Sequence, residues 1–434
     1  MRNFSMKANW FLVDMLISLR VHRPAVVVIM TKFILFLILS TCLCDELHDR
    51  LERKRFYDTI GEFTLNLLRF SYSDGDTEDL LVSPVSVWNL LAVLDVGAAG
   101  NTETQSQISQ VLIQLNNKTA YFAGYEYLKK TLVDTKVANA DLQNRNFVFL
   151  NNSFIIRKDY KNTITNKFDA VINTLDFTSA DRASKEANTI IESYLPRIFK
   201  LTSPEDFRDA IMIMCNGVFF NGFWKNRFPV LATVEETHYD EKLKMNRYVR
   251  RMHLKAKVPY LDIPYLNSTV LELPIGDEGK WVMIFVFPHR DVPLSHVYTQ
   301  LRSYSLDTLV EIIDRDEVQE VDIKLPRFRL ERQVVLTKPL GQMGLREAFK
   351  LDLQGGFLGI ATEDIYIGDF EHMASIFVSE TGVRALATTP GFDGYASKIH
   401  NGGLKAEKPF VFFLMEKPSR TPVFCGSYTF ERYF

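Results

Sequence analysis

The sequence predicts an α+β fold in one large domain, and three observations carry that prediction. Helical patterns fill much of the first half and strand patterns the second, without the alternation of a βαβ repeat. No internal repeat, Gly/Ser linker or shift in composition marks a domain boundary. The 434 residues are 47% hydrophobic and 24% charged, which suits a sizeable core and excludes a disordered chain. With 33 Phe and 17 Tyr, that core should be rich in aromatic rings.

Residues 30–44, MTKFILFLILSTCLC, set one lysine before an unbroken apolar run, with Cys42 and Cys44 at a spacing that signal peptidase favours. The run reads as a secretory signal peptide, too short to cross a membrane comfortably, although the apolar stretch Ala25–Met30 keeps a signal-anchor reading open. The chain then divides into an upstream extension over 1–29, a signal over 30–44 and a domain over 45–434. The mature protein is expected outside the cell, with no stable membrane association. Of the four cysteines, Cys215 and Cys425 would remain; each sits in an apolar run and reads as a buried free thiol in preference to a bridge. Sequons at Asn117, Asn151 and Asn267 suit a secreted, glycosylated surface.

Ile60, Phe63, Leu67 and Phe70 recur at helical spacing and predict an amphipathic helix over 51–72. Ser83-Pro84 breaks the chain, Ser86 reads as a helix cap, and the helix that follows ends at Gly97. Thr102 starts another. NRNFVFLNN is strand-like, 159–168 and 180–198 are helical, and IMIMCNGVFFNGFW is an apolar strand. A lone asparagine in that strand, Asn216, reads as a satisfied structural bridge. VLELPI, WVMIFVFP and VDIKLPRFRLE are further strands, and VDIKL alternates as a half-exposed antiparallel strand should.

Catalytic tools are missing. The sequence has no nucleophile elbow, no zinc-protease helix, no C-x-x-C and no phosphate-cradling glycine loop, so neither enzyme activity nor a cofactor or metal is expected. A net charge of −2 gives no pull towards nucleic acid. Between Lys242 and Lys257 the chain is locally basic (Arg247, Arg250, Arg251, Lys255, Lys257). A solvated strand face is the plainer reading and weak polyanion binding the alternative. His372 reads as the holder of a hydrogen-bond network.

From Glu371 to Phe413 a strand runs into a long polar loop and then a buried strand, PFVFFLM. Loops of that length inside compact domains are usually functional or disordered. Its first half, ETGVRALATT, has the composition of a strand. Were it one, Val383, Ala385, Ala387 and Thr389 would share a face and Arg384, Leu386 and Thr388 the other. The first set is small or β-branched and would enter a packed core without overfilling it.

These segments together resemble the serpin family over nearly all of the domain. The resemblance rests on the helix entry at Ser83, Pro84 and Ser86 and on Asn216, Phe219, Phe220, Trp224 and Phe228. It rests also on His372 placed before Glu380, on the hinge residues Glu380, Gly382, Val383, Ala385, Ala387 and Thr388, and on the closing strands through Pro409, Phe410, Pro422 and Gly426. It implies three β-sheets, eight to nine helices and a reactive loop over about 380–404. It implies a monomeric suicide inhibitor of a serine protease, whose cut loop inserts as a strand. The resemblance assigns Ser83, Ser86, Asn216 and His372 to the network that governs opening of the sheet. The scissile bond falls at Ala396–Ser397 for an elastase-like target, with Lys398 (trypsin-like) and Tyr395 (chymotrypsin-like) as alternatives. The chain departs from the family at Asp79, Arg384, Leu386, Pro390 and after Asn188, and a non-inhibitory binding, carrier or storage protein is the second reading.

Overall fold

The computed structural model describes residues 50–72, 79–98, 102–112, 118–134, 137–195, 201–240, 244–350, 356–363, 365, 367, 370–384 and 404–430. The chain forms two compact units, Met1–Lys54 and Arg55–Phe434. Of the first, only residues 50–54 are described, and they are helical. The extension and the apolar 30–44 run lie outside the described residues.

The second unit is a single α+β domain with three sheets, and the described residues hold nine helices. The core sheet has six antiparallel strands in the order Leu80–Val82, Thr421–Tyr428, Phe410–Glu416, Trp281–Pro288, Ser268–Ile275, Tyr260–Ile263. Every residue of Phe410–Glu416 is buried, as its continuous apolar run predicts. A small sheet orders Leu404–Lys405, Gln319–Pro326, Met245–Val258 and Val234–Asp240. The large sheet orders Phe328–Val335, Glu371–Ser379, Gly382–Arg384, Met212–Phe223, Ala140–Asn151 and Val171–Leu175.

The segment 321–331, expected as one strand, belongs to two strands in two sheets, Gln319–Pro326 and Phe328–Val335. Gln319–Pro326 pairs with Met245–Val258, and after Arg327 the chain crosses to pair with Glu371–Ser379 in the large sheet. Pro326 supplies no N–H for a continued ladder, which explains the break. Phe328 then packs within 6.0 Å of Phe410, Phe412 and Tyr428, tying the large sheet to the core sheet.

Two faces of the large sheet are covered differently. Val148, Leu150, Met212, Val218, Phe220, Ala374, Ile376 and Val378 join the main core. Phe147, Phe149 and Cys215 point the other way, into a smaller cluster beneath the helix Ala180–Tyr194. Asn188 on that helix clamps the following segment: its amide donates to the Thr202 carbonyl (2.7 Å), and its oxygen accepts from the Thr202 N–H (3.1 Å). Cys215 and Cys425 are buried free thiols. Among the described residues no helix is long and apolar enough to cross a membrane.

Candidate functional site

The site is an unfinished position in the large sheet. Gly382–Arg384 is three residues long and is hydrogen-bonded to Glu371–Ser379 on one edge and Met212–Phe223 on the other. Among the described residues, those two longer strands share no ladder with each other. The sheet is therefore parted by one strand at its upper end. Towards its lower end a cavity of about 450 Å³ lies between them, lined by Met212, Met214, Cys215, Asn216, His372 and Met373 among others.

The turn leading into this short strand is held firmly. Trp224 donates its ring N–H to the Ser379 carbonyl (2.8 Å), and the Phe228 N–H reaches the Glu380 carbonyl (3.0 Å). Glu380 is buried; it accepts from the Thr233 hydroxyl (2.9 Å) and lies 3.8 Å from Arg327. Gly382 is required by close approach, since a Cβ there would collide with the Gly222 carbonyl oxygen and stand 2.7 Å from the Phe223 Cα. Val383 is fully buried in the main core. Arg384, expected on the exposed face, is half-buried over the Phe223 ring (5.1 Å). Ala385, Leu386, Ala387, Thr388, Thr389, Pro390 and the scissile candidates Tyr395, Ala396, Ser397 and Lys398 lie outside the described residues.

The four residues assigned to one network form two, on opposite banks of the gap. On one bank the Ser83 N–H donates to His372 Nε2 (2.9 Å), and the hydroxyls of Ser83 and Ser86 are 2.8 Å apart. Full burial lowers His372 to about 4, so it is neutral at pH 7, and Nε2 is the accepting nitrogen. Ser83, not Ser86, is the N-cap of the helix Pro84–Gly97; Ser86 lies inside its first turn because Pro84 takes an early position where its missing N–H costs nothing. On the other bank Asn216 donates to the side-chain oxygens of Asn144 (2.8 Å) and Asn146 (2.7 Å). Asn144 and Asn146 were not singled out from sequence. Two asparagines at i, i+2 on the otherwise apolar face of the strand that carries Ala140, Leu142, Val148 and Leu150 are the signal that marks them.

The remaining candidates separate from this site. In the basic run Arg250 pairs with Glu235 (3.8 Å) and Lys255 with Glu320 (2.9 Å), both exposed, which suits the solvated-strand reading; Arg251 departs from it, being buried and 3.2 Å from Glu236. Asn151 ends its strand half-buried, with its oxygen accepting from the Ser153 N–H (3.2 Å). Asn267 is exposed, with its amide 3.0 Å from His296. Asn117 lies outside the described residues. Asp79, which departs from the family residue, is buried; its carboxylate accepts from the Thr429 N–H (2.7 Å) and hydroxyl (2.9 Å) and lies 3.9 Å from Arg332.

Comparison with known proteins gives a consistent answer. A family model described as Serpin (serine protease inhibitor) matches residues 58–429. Intracellular coagulation inhibitor 2 of Tachypleus tridentatus is 30% identical over 413 residues, 91% of this chain and 97% of that protein. Leukocyte elastase inhibitor of Xenopus tropicalis is 26% identical, with 85% and 97% covered. The solved structure of human thyroxine-binding globulin in complex with thyroxine shares the fold, at a TM-score of 0.74, 21% identity and coverage of 87% and 98%.

Proposed function

The chain belongs to the serpin family, and on that footing we propose that it inhibits a serine protease by offering its loop as a substrate. One observation carries the reading: Gly382–Arg384 is already paired on both edges between two strands that share no described ladder with each other. In the proposed reaction the protease serine attacks the carbonyl of Ala396, the 396–397 peptide bond breaks, and the new amine at Ser397 leaves. The loop, esterified to the protease, then zips into the gap before water reaches the ester.

The register supports such an insertion. Continued unchanged, it sets Ala385 between Phe220 and Ile376, Ala387 between Val218 and Ala374, and Thr389 between Asn216 and His372. The side of the sheet they would enter is the side on which Val383 is buried, where small side chains fit. Pro390 would come level with Glu371, where its neighbour strand begins. On the other edge it would come level with Cys215, with Met212–Met214 still to pair, so its missing N–H falls late in the zipper, after Thr389 has paired, but short of its end.

The test is a panel of elastase-, trypsin- and chymotrypsin-like proteases. The expected result is a complex with one of them that survives denaturing electrophoresis, and the released fragment then fixes the bond as Ala396–Ser397, after Lys398 or after Tyr395. If every protease cuts and none is held, the reading is lost. A non-inhibitory binding, carrier or storage function is the second reading, favoured by the departures at Arg384, Leu386 and Pro390. An unchanged melting temperature after loop cleavage would support it. Secretion is the reading that the Met30–Cys44 run carries; expression in a secreting cell and N-terminal sequencing of protein in the medium would test it.

A further inference from the structure

The cavity in the gap of the large sheet is lined by polar atoms that the protein leaves without partners. Its volume of about 450 Å³ lies within the range of sites that enclose small organic molecules. Asn216 lines it from one bank and is only 4% exposed. Its amide nitrogen is turned away from the gap, towards the side-chain oxygens of Asn144 and Asn146 on the neighbouring strand Ala140–Asn151. The Oδ1 of Asn216 therefore faces the gap, and this buried oxygen accepts no hydrogen bond. Buried acceptors without a donor are uncommon in folded proteins. His372 lines the cavity from the other bank and is 3% exposed. Its Nε2 accepts from the Ser83 N–H, so the neutral ring carries its proton on Nδ1. In the projected register Asn216 and His372 stand level, with one strand position between them, on the side of the sheet that carries Val218 and Ala374. The wall is apolar at Met212, Met214 and Met373, whose flexible thioethers adapt to irregular shapes. It is acidic at Glu205, Asp206 and Asp209, three carboxylates against the guanidinium of Arg208.

We propose that this cavity binds a small neutral molecule with a primary carboxamide head and a short alkyl body. The head donates an N–H to Asn216 Oδ1 and offers its carbonyl to the Nδ1–H of His372, and the alkyl chain lies against the methionines. A carboxamide suits the two banks because one planar group carries both a donor and an acceptor. A carboxylate does not: it has no donor for Asn216, and burying its charge in a wall with excess carboxylate is costly. A molecule held by both banks binds the uncut protein in the arrangement seen here and stabilises it. The site is built from described residues of the sheet and holds whether or not a protease is trapped.

The experiment follows the uncut protein, isotopically labelled at its methionine methyl groups, by NMR during titration with hexanamide. Met212→Leu, Met214→Leu and Met373→Leu assign the cavity signals. The fully buried Met252, in the small sheet, and Met283, in the core sheet, are assigned in the same way and serve as controls. The cavity signals should shift saturably while the controls stay fixed. N,N-dimethylhexanamide, which has no N–H, and hexanoate, which is charged, should each bind at least about tenfold more weakly. Cavity signals that stay fixed up to the solubility limit of hexanamide overturn the proposal, as does an equal shift of the controls. Equal binding by either analogue overturns it too, because the donor to Asn216 or the neutral head then plays no part.

Discussion

The core sheet and the large sheet each have six strands, yet they are finished to different standards. In the core sheet Phe410–Glu416 is paired along its length on both edges and buried on both faces. In the large sheet, among the described residues, the equivalent inner position holds only Gly382–Arg384. On the proposed reading, the contrast teaches that the first sheet stores stability and the second stores a reaction. Among the described residues, Glu371–Ser379 and Met212–Phe223 share no ladder with each other, and on that reading pairing both with an inserted strand would release the free energy that drives trapping.

The sharpest way to break this comparison is to spoil insertion without touching the fold. Ala387→Arg would bring a charge between Val218 and Ala374 at the projected register, on the side of the main core. Burying it unpaired is prohibitive. The expected outcome is complete loss of the denaturation-resistant complex, with the variant cleaved as an ordinary substrate and the uncut protein melting like the wild type. Retention of the complex would mean that position 387 never enters the sheet.

The converse change strikes the finished sheet. Phe412 is fully buried, 5.7 Å from Phe328. Phe412→Ala should cost about 3–5 kcal/mol in denaturant unfolding. The folded fraction should still trap protease, since the gap is untouched. Loss of trapping at full folding would show that the two sheets are not separable.

Acid provides a third test, aimed at one bank of the gap. His372 stays neutral in the folded protein down to about 4, while an ordinary histidine takes its proton near 6.5. Between those values the unfolded chain binds a proton that the folded one refuses, so stability falls as pH drops through the window, by about 3 kcal/mol in all. In the core sheet, burial raises the carboxyls of Glu272 and Glu416, which act in the opposite sense and cost stability as pH rises. His372→Gln keeps an acceptor for the Ser83 N–H and should remove the acid-sensitive part alone. Equal pH slopes in the two proteins would sink the assignment.

Much of this was legible in the sequence, and the failures have physical causes. Phe410–Glu416 and Trp281–Pro288 were readable because burial on both faces demands unbroken apolar runs. The strand that starts at Gly382 was readable from the β-like composition of the segment after Glu380, although the reason for glycine there is the approach of the Gly222 carbonyl more than flexibility. The break at Arg327 was missed because Gln319–Pro326 and Phe328–Val335 share one composition, and only tertiary pairing sends them to different sheets. The division of the Ser83–His372 and Asn216–Asn146 bonds onto two banks was invisible for the same reason. Hydrogen-bond partners distant in sequence leave no local pattern.

The smallest expected effect lies at the seam between the two sheets. Asp79 precedes the Leu80–Val82 edge of the core sheet, binds Thr429 through one oxygen and faces Arg332 on the outer strand of the large sheet at 3.9 Å. Asp79→Asn keeps an oxygen for the Thr429 N–H and hydroxyl and removes only the charge. The pair is long and Arg332 keeps other interactions, so the change should cost about 1 kcal/mol or less, with an unchanged denaturant slope. A cost of about 3 kcal/mol or more would mean that the seam is a buried ion pair left half-broken. The outer strand of the large sheet would then be anchored electrostatically to the core sheet. The movement that admits a new strand would have to come from the Met212–Phe223 bank instead.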